Sequence, residues 1–216
     1  MTEQNVQATR PRRERKENAD MRRRQLLDAA QRSIVRNGLA KTTLATVAHE
    51  AGLSQGVAVF YYKSKNGLLV AALEDLYQKY EANWRKAVDE AGDDPKDRLW
   101  ALIEADFNED ICNAESLSIW FAFWGEQNFT PQYASITQQF DLNRGGAIRE
   151  ICRAFFPDDQ AAAAEAVADW IDTLTDGYWQ RMHLFPEASP KETALAGTRA
   201  FLARILPDHF RTERAG

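Results

Sequence analysis

The sequence predicts an all-α protein of about nine helices, in which an N-terminal three-helix helix-turn-helix module is followed by a larger helical domain. Apolar residues recur at three- and four-residue spacing over most of the 216 residues, and no segment alternates as a strand would. Pro131, Pro157, Pro186 and Pro190 fall between those runs, where proline is tolerated. The charge is also split. Residues 1–65 carry 13 Lys and Arg against 6 Asp and Glu, a net of +7, and the rest carries 14 against 26, a net of −12. A basic end on an acidic body suits a chain that meets a polyanion at one end only.

Residues 1–18 have few large apolar side chains and five Lys or Arg, and are expected to be a disordered basic arm, lying along phosphates or simply solvated. The helix-turn-helix module is expected over 19–65. Met21, Leu26, Leu27, Ala30 and Ile34 share one helical face, and Asn37-Gly38 supplies the stop. Thr43 is placed to cap a second helix running to Glu50, with Leu44, Val47 and Ala48 on one side. Gly52 ends that helix, and Ser54 is placed to cap a third through Tyr61. Two short helices around a Gly-containing turn are the helix-turn-helix arrangement.

A second domain is expected over 66–216. Its helices read from Asn66 to about Ala91, Pro95 to Asn108, Ala114 to Gln127, Pro131 to Phe156, Asp158 to His183, and Pro190 to Leu206.

In a helix-turn-helix the second helix enters the major groove. Here that helix opens with Gln55 and Gly56. Glycine costs about 1 kcal/mol of helix propensity, so Gly56 either admits a close external surface or packs on a neighbouring helix. Tyr61 and Tyr62 bring hydroxyls to the end of the helix, and Lys63 and Lys65 follow, groups that suit phosphate contacts fixing register.

The segment TTLATVAHEAGLSQGVAVFYYKSKNGLL, within Arg24 to Leu69, resembles the N-terminal module of the TetR family of transcriptional repressors. The resemblance implies that Thr43, Tyr61 and Lys65 contact phosphates. It also implies that Gln55, Gly56, Val57 and Phe60 lie at or near base edges, with Ser54 and Lys63 completing the DNA-binding set. Tyr62 stands where the family commonly has Phe, and Phe60 stands where a polar reader is often found, suited to a thymine methyl or a sugar.

In the acidic body, Trp120 and Trp124 are four residues apart in AESLSIWFAFWGEQNF, with Phe123 beside them; Tyr178-Trp179 and Phe107 end other helices. Such aromatics are either core or, with Asp106, Glu109, Asp110 and Glu126, a box for a cation that offers no N–H hydrogen bond. The segments KNGLLVAALEDL, ADFNEDICNAESLSIWFAFWGEQNFTPQY and TDGYWQR are similar to the BetI-type branch of the family, repressors that respond to choline and control betaine synthesis. That similarity implies a choline-like effector in a pocket lined by Phe107, Trp120, Phe123, Trp124, Tyr178 and Trp179; another small hydrophobic or cationic effector is the alternative. It also implies that ligand binding shifts the helix beginning at Asn66.

A dimer is expected from the need to read a palindromic double-stranded DNA operator. The last two long helices, with Val167, Trp170, Ile171, Leu174, Phe201 and Ile205, are its expected interface. His49, His183 and His209 sit in no catalytic motif, and Cys112 and Cys152 have no metal-ligand spacing. An enzyme, a metal site and a cofactor are therefore not expected. A helical scaffold that ignores DNA would leave the basic third unexplained. With no membrane-length apolar run and no signal peptide, a cytoplasmic protein with no membrane partner is expected.

Overall fold

The computed structural model describes residues 12–210, so the first eleven residues of the expected arm lie outside it. Among the described residues there are ten α-helices and no strand. They are α1 (Arg12–Lys41), α2 (Leu44–Glu50), α3 (Gln55–Tyr62), α4 (Lys65–Glu90), α5 (Pro95–Asp106), α6 (Ala114–Glu126), α7 (Pro131–Arg153), α8 (Ala161–Leu184), α9 (Lys191–Ile205) and α10 (Pro207–Phe210).

Helix α1 starts at Arg12, not at Ala19, so the expected disorder is corrected for residues 12–18. These residues are mostly Arg, Glu and Lys, good helix formers that extend a helix already nucleated by the apolar face behind them. Gly38, at φ 75°, interrupts the helix where the sequence signals a stop, and one more turn follows. Thr42 closes that turn, its hydroxyl donating to the Gly38 carbonyl at 2.9 Å. The tenth helix, beyond the nine expected, is a single turn restarted by Pro207 at its first position. A 3-10 turn, Asp158–Gln160, precedes α8, which begins at Ala161 rather than Asp158.

The chain forms two compact units that divide between Ala72 and Leu73, inside α4 rather than at its start. Leu68, Leu69 and Ala72, in the first turns of α4, are buried and group with the N-terminal unit. There they join Leu26, Ala29, Ala30, Ile34, Val47, Ala48 and Ala58, the buried faces of α1, α2 and α3. In the second unit α8 packs against α6, α7 and α9, and α5 packs against α7. Cys112 and Cys152 are buried free thiols that burial pushes up to about 12, so neither is a thiolate near neutral pH. No helix among the described residues is long and apolar enough to cross a membrane.

Candidate nucleic-acid interface and effector cavity

The turn between α2 and α3 is built by local chemistry. Thr43 accepts from the Thr46 amide at 3.1 Å and Thr46 returns the bond, accepting from the Thr43 amide at 2.8 Å. This reciprocal cap satisfies donors that the helix start would leave open. Gly52, at φ 65°, makes the turn in a conformation that side chains resist. Ser54 holds the N-cap position of α3, but its side chain makes no capping bond, contrary to expectation. Gly56 has only the Ser54 hydroxyl within 4 Å of where a Cβ would stand. Among the described residues it therefore packs against no neighbouring helix, and the surface it faces is open.

Gln55, Gly56, Phe60 and Lys63 are exposed, Val57 is half-buried, and Ala58 faces the core. Val59, absent from the expected set, is exposed in place of Val57. Positions 55, 56, 59, 60 and 63 share one face by i, i+4 spacing, a signal present in the sequence all along. The two tyrosines divide: Tyr62 donates to the Arg23 carbonyl at 3.2 Å, while the Tyr61 ring takes the Arg23 guanidinium at 5.4 Å. Lys65 donates to the Ala40 carbonyl at 2.6 Å, a cation closing the end of α1.

Between α3 and α4 the chain makes a γ-turn. The Ser64 amide donates to the Tyr62 carbonyl at 2.6 Å, and Lys63 between them has φ 63°. Gly67 then passes so close to that carbonyl that any Cβ would collide with it.

In the second unit, a cavity of about 260 Å³ is lined by the aromatics Tyr80, Trp124 and Trp179 and the charged Asp141, Arg144, Asp172 and Asp176, with Gln127 and Thr137. The rings of Trp124 and Trp179 stack at 6.3 Å. Trp120 backs them, 6.1 Å from Trp124 and 5.8 Å from Trp179, and is 1% exposed. The indoles are oriented by hydrogen bonds: Trp124 Nε1 donates to the Tyr77 hydroxyl at 3.3 Å and Trp179 Nε1 to the Asp106 carbonyl at 3.0 Å.

Of the six aromatics expected in the pocket, Trp124 and Trp179 line it and Trp120 supports them. Phe123 instead meets Tyr133 at 5.1 Å, and Phe107 meets Tyr178 at 6.4 Å; none of these lines the cavity. Tyr178 lies over Gly197 of α9, with no room there for a side chain. A helix turns about 100° per residue, and here Trp179 faces the cavity while Tyr178 lines the groove toward α9. Among the carboxylates named from sequence, Asp106 belongs to the site, whereas Glu109, Asp110 and Glu126 are exposed elsewhere.

Asp106, Arg144, Asp172, Thr175 and Tyr80 form one polar network across α5, α7, α8 and α4. Arg144 pairs with Asp106 and Asp172 and donates to the Thr175 hydroxyl at 3.1 Å; Tyr80 donates to Asp106 at 2.7 Å. Burial pushes the Asp106 carboxyl up, and the Arg144 guanidinium and Tyr80 hydrogen bond oppose that shift. Burial also pushes the Tyr80 hydroxyl up, keeping it a neutral donor. At the cavity mouth, desolvation and then the charge of Asp172 raise Asp176 to about 7 and Asp141 to about 6, with Arg144 opposing both. Four carboxyl groups thus face one guanidinium, an arrangement short of positive charge. The i, i+4 pair Asp172 and Asp176 was the sequence signal that could have found them.

A wider apolar groove of about 1030 Å³ runs along α8 and α9, lined by Trp170, Leu174, Tyr178, Phe201 and Ile205 among others. Trp170 is 52% exposed there, whereas Val167 and Ile171, also expected at an interface, are buried in the core.

Residues 26–72 match the family model of bacterial regulatory proteins of the tetR family, and residues 95–207 match that of the BetI-type transcriptional repressor C-terminal domain. The HTH-type transcriptional regulator BetI of Paraburkholderia xenovorans is 32% identical over 87% of this chain and 94% of its own. A transcriptional regulator from Pseudomonas aeruginosa shares the fold at TM-score 0.77 and 22% identity, covering 97% of this chain and all of its own. A regulator from Saccharomonospora viridis, solved in complex with choline, superposes at TM-score 0.72 and 20% identity over 85% of this chain and 96% of its own. These relatives are transcriptional regulators rather than enzymes, and with a helix-turn-helix in one unit and this cavity in the other, the chain belongs to the TetR family of transcriptional repressors, in its BetI-type branch.

Proposed function

We propose that this repressor is a homodimer whose effector is choline or a closely related quaternary ammonium compound, and that it controls uptake of that compound or its conversion to betaine. The observation that carries the reading is the cavity whose lining combines Trp124, Trp179 and Tyr80 with Asp141, Asp172 and Asp176. A trimethylammonium group donates no conventional hydrogen bond and is held by aromatic faces, while the carboxylates supply the countercharge. The likeness to a choline-bound regulator supports the same ligand class.

The effector acts through α4, which carries Leu68 and Leu69 of the DNA-binding unit, Tyr80 in the cavity lining and Tyr77, which holds the Trp124 indole. Release from an operator requires the effector to favour one state by about 1–3 kcal/mol. The second copy docks on the groove of α8 and α9, which Trp170 and Leu174 help to line, with Trp170 about half exposed.

Thermal unfolding with choline, glycine betaine and the neutral isostere 3,3-dimethylbutanol tests the effector. At about 100 times its dissociation constant, choline raises the transition by roughly 5–10 °C. The isostere does less, because it lacks the charge, and Trp124→Ala abolishes the shift. Equal shifts with choline and the isostere would refute a cationic site.

A further inference from the structure

The exposed face of α3 has an unusual composition for a surface set against a polyanion. Gln55, Gly56, Val59, Phe60 and Lys63 share it, with Phe60 68% and Val59 41% exposed. Phe60 meets the Tyr61 ring edge-on at 5.1 Å, but most of its surface and much of Val59 stay open, and apolar side chains clustered on one exposed face suit a partner surface. Nothing on the face repels an electronegative surface. The acidic residue of α2, Glu50, is held by Arg32 at 3.0 Å and Arg36 at 2.9 Å, and the face itself carries no carboxylate.

Base pairs differ in what they ask of such a face. Guanine is read by Arg or Lys on its O6 and N7, adenine by Asn or Gln on its N6 and N7, and thymine by apolar contact with its methyl group. The face has no Arg. Lys63 donates to the Phe60 carbonyl at 2.6 Å and stands 5.1 Å over the Phe60 ring, at the C-terminal end of the helix beside Tyr61 and Tyr62. Gln55 remains as the one base-reading polar side chain, and its side chain forms no hydrogen bond among the described residues.

Resting on the DNA-binding reading, we infer that α3 reads A·T pairs through methyl groups. Val59 and Phe60 pack on thymine methyls in the major groove, Gln55 takes an adjacent adenine, and Gly56 supplies the clearance for the helix to sit deep enough for both. The half-site is therefore built on a run of A·T pairs, and G·C pairs under α3 have no reader.

The test uses the full chain. Duplexes selected from a random library are re-measured at fixed salt with each half-site thymine replaced singly by uracil, which removes only the methyl group. Loss of each contacted methyl weakens binding about fourfold. Phe60→Ala and Val59→Ala each erase the uracil effect at one position, and Gln55→Ala lowers affinity about tenfold or more only where the selected base is adenine. The salt slope stays as in the parent, because phosphate contacts are untouched. Uracil without effect at every position, or selected half-sites centred on G·C pairs, would overturn the inference in the unmodified protein, whatever the variants do. Salt-dependent binding with no enriched sequence overturns it too and leaves the DNA-binding reading standing. No duplex binding at low salt overturns both.

Discussion

Lys63 holds a backbone conformation at φ 63° that lysine resists, in the γ-turn joining α3 to α4. Strain there of about 1–3 kcal/mol exceeds the roughly 0.5–1 kcal/mol of chain entropy that glycine would cost. Lys63→Gly is thus expected to raise the unfolding free energy by about 1 kcal/mol in urea titrations. It also lowers the salt slope of DNA binding by about one, since one phosphate-neutralising charge is gone.

A pH effect belongs to the same scale. Asp176 is raised to about 7 and Asp141 to about 6, so the folded chain keeps protons that the unfolded chain has released. Their contribution to stability therefore falls as pH rises from the ordinary carboxylate range through those values. A cation in the cavity favours the ionised forms. Choline affinity is expected to rise roughly tenfold from pH 5.5 to 7.5 in calorimetric titrations, and Asp176→Asn flattens that rise.

At the scale of elements, the polar network through Arg144 ties α4, α5, α7 and α8 around the cavity, and it is the part least legible in the sequence. Asp106, Arg144 and Asp172 lie far apart along the chain, and nothing in their spacing pairs them. Arg144→Ala leaves the 1%-exposed Asp106 without its guanidinium, a loss of about 3–5 kcal/mol by denaturant unfolding. Joint replacement of Arg144 and Asp106 by apolar residues of similar volume recovers much of it, because no buried charge is then left alone. The caps and turns of α2 and α3 are the opposite case. Thr43, Gly52 and Gly38 act on backbone within a few residues of themselves, so their roles were readable from order alone.

For the whole molecule, the proposed dimer rests on the groove along α8 and α9. Trp170→Glu places a charge on that apolar surface. Sedimentation is expected to show a monomer in place of a dimer, with operator affinity down by 100-fold or more, since a single module grips one half-site only. A parent protein that sediments as a monomer at micromolar concentration would sink the dimer proposal.

The sequence by itself determined the helical class, the helix-turn-helix, the basic and acidic halves and the family, because periodicity, capping residues and charge runs are local properties of the chain. Only the tertiary structure decided which aromatics share a cavity. It set Trp124 and Trp179 side by side and turned Phe107, Phe123 and Tyr178 into packing elsewhere. It also separated Trp170 on an open face from Val167 and Ile171 in the core. The physical reason is that a helical face is specified by local spacing, but what that face meets depends on how helices distant in sequence pack together.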